Sequence, residues 1–131
     1  MIKDIALFLV GMILGGSVNM LLVEAGMIVF PAPSGLDLST EAGLKSAMSM
    51  MSFEHFIFPF LAHAIGTLSG AIFVSRFAFR KQILSYCIGI SFLIGGISMI
   101  FMVGGPTWFI MLDVIVAYLP MSWLGLRIGR K

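Results

Sequence analysis

Charge is what this sequence has least of. Eight Lys and Arg and six Asp and Glu make up 11% of its 131 residues, where a soluble domain carries about 25%. A chain so poor in charge has too little polar surface to cover itself in water. Apolar residues make up 60% of it, and the mean hydropathy is +1.09. The net charge of +2 is too weak to indicate nucleic acid as a partner. Cysteine is nearly absent too: Cys87 stands alone in an apolar run, which excludes an intrachain disulfide. The chain lacks a Gly-x-x-x-x-Gly-Lys-Ser/Thr phosphate loop, a His-Glu-x-x-His zinc helix, a Gly-x-Ser-x-Gly elbow and a Cys-x-x-Cys pair. None of the strong catalytic signatures is left, and no cofactor is implied.

In their place stand four long apolar runs, residues 5–30, 53–77, 83–103 and 106–126. Crossing about 30 Å of hydrocarbon takes roughly 20 helical residues, so each run is long enough to span. Only helices and closed barrels satisfy their backbone groups in lipid. These runs do not alternate polar and apolar as barrel strands do. The fold expected is therefore an all-α membrane protein, a four-transmembrane-helix bundle forming one domain over residues 1–131. Small residues at Gly15, Gly16 and Ser17 resemble a signal-peptide cleavage site, but the apolar pattern runs on to Phe30, which favours a retained first span.

The cations give an orientation. Arg76, Arg80 and Lys81 lie between spans two and three, Arg127, Arg130 and Lys131 follow span four, and Lys3 precedes span one. Lys45 alone lies on the opposite side, with Asp37, Glu41 and Glu54. The positive-inside rule then places both termini in the cytoplasm, as in a bacterial inner membrane. Trp108 and Trp123, near the two ends of span four, read as interfacial anchors. The long outer loop opens with the turn-rich Pro31–Gly35 stretch. It then becomes amphipathic: Leu44, Ala47, Met48 and Met51 recur on one face, opposite Glu41, Lys45, Ser49 and Ser52. A short helix on the outer membrane surface is expected there.

Within the spans, ionisable groups are the functional candidates, because a charge at mid-helix costs about 2.5–3.5 kcal/mol. Glu24, His63 and Asp113 each lie about two turns from the outer end of their span, roughly 10 Å deep at 1.5 Å per residue. This shared depth predicts a protonatable polar pocket in the outer half of the bundle. Thr67, one turn beyond His63, and Ser17, which shares a face with Glu24, are candidate lining residues. Gly11, Gly15 and Asn19 in span one, and Gly66 and Gly70 in span two, form small-residue stripes suited to close helix packing. Gly89 and Gly96 line one face of span three, and Ser91, Gly95 and Ser98 another, which predicts packing on several sides. Pro59 is expected to free a backbone carbonyl and bend span two near His63.

His55 and His63 are the metal-ligand candidates by residue type. They stand about 12 Å apart along one helix, too far to share an ion. Met48, Met50 and Met51 near His55 offer soft ligands for Cu(I), but Met is abundant throughout and serves equally as apolar filler. Size and span number resemble those of the small multidrug-resistance exporters, which also carry a membrane-embedded Glu in the first helix. Glu24 lies near the outer end of its helix, however, and no further motif matches, so no family is assigned. Two functions are consistent with this pattern. The first is a transport or small-solute or ion-binding protein working through the polar pocket. The alternative is a structural or accessory subunit whose polar residues lock helices together and whose outer loop docks a partner. The bilayer is the expected surrounding in both, with a second copy or another membrane subunit as the protein partner.

Overall fold

The computed structural model describes residues Met1–Lys131. It is all-helical, with 82% of residues in helices and no strand. Helix α1 (Ile2–Val29) is followed by α2 (Glu41–Met50), a 3-10 turn (Phe53–Phe56), α3 (Ile57–Phe77), α4 (Lys81–Val103), α5 (Thr107–Val116) and α6 (Leu119–Gly129). Four units are long and apolar enough to cross a membrane: α1, the 3-10 turn with α3, α4, and α5 with α6. Only 27 of the 131 residues are buried, and large apolar side chains such as Ile13, Ile28 and Phe101 face outward. A chain that exposes so much apolar surface suggests an integral membrane protein.

Helix α3 is the centre of the bundle and touches α1, α4, α5 and α6. Glycine makes this possible, because it lets two backbones approach within carbonyl contact. A Cβ on Gly15 would stand 2.6 Å from the Gly66 carbonyl oxygen, and one on Gly70 would stand 2.7 Å from that of Gly11. The other side of α3 meets α6 in the same way, with Gly125 against Ala71 and Gly129 against Ser75. Asn19 packs on Gly66, but its side-chain oxygen is buried without a hydrogen-bond partner. Within the chain, helix α4 packs through one face. Gly89 and Gly96 lie against Ser122 and Tyr118, whereas Gly95 meets nothing and Ser98 bonds back to the Ile94 carbonyl.

Side chains tie the ends together. At one end, both carboxylate oxygens of buried Asp4 accept backbone N–H bonds, from Phe79 at 3.0 Å and Arg80 at 3.3 Å, which secures the α3–α4 turn. Lys3 lies over the Phe79 ring, and Arg130 reaches Gln82 at 3.4 Å. The N-terminus, the α3–α4 turn and the C-terminus therefore share one end. At the other end, Thr40 caps α2 by accepting the Gly43 N–H at 3.0 Å. Nearby, the Ser39 hydroxyl and N–H both bond Asp37 and hold its carboxyl below the usual range. His55 Nδ1 accepts from the Ser52 N–H at 3.2 Å, and its Nε2–H donates to the Pro31 carbonyl at 3.1 Å. That pairing ties the start of the second span to the exit of α1. Pro59 falls in the first turn of α3, directly after the 3-10 turn Phe53–Phe56.

Candidate functional site

The fourth apolar segment is broken. Its backbone ladder runs to the Ala117 N–H, which bonds the Asp113 carbonyl at 2.9 Å, and resumes with the Ser122 N–H on the Tyr118 carbonyl at 2.8 Å. Pro120 follows the break at once and has no N–H to return to the preceding turn. In a sequence reading, residues 106–126 form one continuous span; the structure divides them into α5 and α6. Irregular backbone at membrane depth persists only where protein or water covers it, and here Ala117 and Tyr118 are both fully buried.

Against this break lies a three-residue cluster. His63 Nδ1 stands 2.8 Å and 2.9 Å from the two carboxylate oxygens of Asp113. The Tyr118 hydroxyl donates to Asp113 Oδ2 at 2.7 Å and lies 3.1 Å from His63 Nδ1. The carboxylate thus accepts a hydrogen bond from the Nδ1–H of the ring, and Nε2 has no partner in the chain. Asp113 and Tyr118 are nearly inaccessible, but the His63 side chain keeps 24% of its surface exposed. The cluster is therefore packed shut around its carboxylate, while part of the imidazole stays accessible.

The structure brings His63 and Asp113 together and leaves the other candidates apart. Glu24 is exposed on α1, with no hydrogen-bond or ion-pair partner in the chain. Ser17 is exposed on the same helix. Thr67 is fully buried one turn beyond His63, but its hydroxyl bonds nothing. Tyr118 is the member that sequence reasoning missed, and Gly96 was read only as part of a packing face. A Cβ at Gly96 would collide with the Tyr118 hydroxyl, so this glycine makes the room in which the tyrosine reaches Asp113. For Tyr118 the sequence signal was a lone tyrosine two residues before Pro120 inside an apolar run.

Two clefts lie elsewhere. One of about 710 Å³ borders the α3–α4 turn and the C-terminus. One of about 550 Å³ lies between α2 and the α4–α5 turn, with Met48 and Met51 in its wall. Neither is lined by His63 or Asp113. No group of three or more His, Cys, Asp or Glu side chains converges as a metal site would require. Comparison with protein-family models, curated proteins and solved structures finds no match for this chain.

Proposed function

We propose that this chain is a small membrane transport or solute-binding protein whose working part is the His63–Asp113–Tyr118 centre. One observation carries the reading: an ionisable His–Asp pair is held at a break in a membrane-length helix, with one imidazole nitrogen unpartnered. Intramembrane ionisable residues mark proton and ion pathways by default, and discontinuous helices recur at transporter sites. In this reading His63 Nε2 takes up and releases a proton, and the α5–α6 break is the place where the bundle opens around it. The cation-rich end faces the cytoplasm and α2 lies on the outer surface, in keeping with the charge bias of the sequence.

A second reading has its own observation. Glu24 and Ser17 project from an apolar face of α1 with nothing in the chain to meet them, as an accessory subunit would present polar groups to a partner helix. One experiment separates the two. The protein is reconstituted in liposomes holding a pH-sensitive dye and challenged with gradients of inorganic cations, amines and organic anions. The wild type should move protons with at least one solute class. Asp113→Asn and His63→Gln should lose that signal while keeping the parent's helicity. Full proton movement in both variants would refute the centre's role. A wild type silent to every solute, with Glu24→Gln releasing a co-purifying subunit, would establish the accessory reading instead.

A further inference from the structure

The 710 Å³ cleft is lined by both cationic and apolar side chains. Three cations, Arg80, Lys81 and Arg130, line it at the end of the bundle that holds the α3–α4 turn and the C-terminus. They come from the α3–α4 turn, the start of α4 and the end of α6, so the fold assembles them from distant points in the chain. Below them the wall turns apolar, with Ile83, Cys87 and Ile90 descending α4. Seven residues of helix separate Ile83 from Ile90, about 10 Å of depth. Both isoleucines are about half exposed, so this wall lacks a cover from the protein itself. No acid lines the cleft, and Asp4, which holds the α3–α4 turn, has both oxygens engaged by the Phe79 and Arg80 N–H groups. Of the three cations, only Arg130 has a side-chain partner, a weak 3.4 Å contact to the neutral Gln82, and none is paired with a carboxylate.

We infer that this cleft holds an anionic phospholipid, with its phosphate among Arg80, Lys81 and Arg130 and an acyl chain along Ile83, Cys87 and Ile90. Guanidinium groups match phosphate geometry, and basic pockets between membrane helices on the cytoplasmic side suit anionic head groups. The apolar wall distinguishes a lipid from a free phosphate, which would leave it uncovered. The inference rests on the bilayer residence in the proposed function and makes no use of the His63 centre.

Cys87 supplies the readout, since it is the chain's one thiol and lines the cleft. Its rate of maleimide labelling is measured in nanodiscs of phosphatidylcholine carrying a rising fraction of phosphatidylglycerol. Labelling should slow as the anionic lipid rises. The triple variant Arg80→Gln, Lys81→Gln, Arg130→Gln should need about tenfold more phosphatidylglycerol for the same protection. A control that loses equal charge outside the cleft, Arg76→Gln, Arg127→Gln, Lys131→Gln, should behave as the wild type. Equal shifts in both triples would mean diffuse attraction and overturn the site. So would equal protection in pure phosphatidylcholine, or protection by inorganic phosphate alone, which would remove the acyl chain from the proposal. Should the cleft triple fail to fold, native mass spectrometry of the wild type decides: phosphatidylglycerol must be retained over phosphatidylcholine. Flotation with liposomes after carbonate washing tests membrane residence separately. A chain that floats but shows no anionic preference defeats the lipid site alone.

Discussion

Gly96 shows how much of the centre depends on one missing side chain. Tyr118 can bond Asp113 only because its ring lies where a Cβ at position 96 would stand. Gly96→Leu should therefore displace the tyrosine and lower stability by about 1–3 kcal/mol through overpacking. Tyr118→Phe removes the hydroxyl alone and should cost less, about 1 kcal/mol, in line with polar contacts between membrane helices. Thermal melts in a mild detergent, followed by circular dichroism, give both numbers. Melting of Gly96→Leu at the parent's temperature would show that the tyrosine has another place to go. The His63–Asp113 pair was legible in the sequence because an ionisable group in an apolar run is conspicuous and its depth can be counted along the helix. Tyr118 was not, since its ring is largely apolar and a lone tyrosine in an apolar run carries no charge to mark it. Glycine at 96 stood out, but nothing in the chain says which side chain fills the space it leaves.

At the scale of elements, depth and rotation were legible to different degrees. Glu24 shares the depth of His63, but at 100° per residue it stands about 180° around α1 from Gly15. The Gly11–Gly15 seam meets α3, so it turns Glu24 outward. The seam itself was visible in the sequence, and its consequence for Glu24 follows once the seam is known to face α3. The division of the fourth segment follows from Pro120, which removes a ladder bond and crowds the carbonyl four residues back. Replacing it makes a test with opposed signs. Pro120→Ala should let α5 and α6 join and leave melting unchanged or raised, because proline costs about 3 kcal/mol within a helix. Joining them rotates Tyr118 away from Asp113, so the proton-linked signal in liposomes should fall as it does in Asp113→Asn. A Pro120→Ala variant with full signal would separate the break from the working of the centre.

The whole molecule has a clear axis, and its sense comes from charge. Lys3 on Phe79, Asp4 on the α3–α4 turn and Arg130 on Gln82 bring both termini and that turn to one end. Lys3, Arg76, Arg80, Lys81, Arg127, Arg130 and Lys131 belong to that end or to the helix ends that reach it, leaving Lys45 apart on α2. Packing within the bundle would be the same either way up in a membrane. What separates the two orientations is the cost of carrying these cations across, and the short loops here are the kind in which that bias decides the outcome. The expected orientation puts Ser46 outside and Gln82 inside, and both positions are exposed. In a Cys87→Ser background, Ser46→Cys on intact cells should react with a membrane-impermeant maleimide. Gln82→Cys should react only after the cells are opened. Labelling of Gln82→Cys alone would invert the orientation and leave the bundle standing, with the cationic cleft moved to the outer leaflet. Labelling of both on intact cells cannot arise from helices that cross as counted, and it would bring down the four-span arrangement and the transport reading with it.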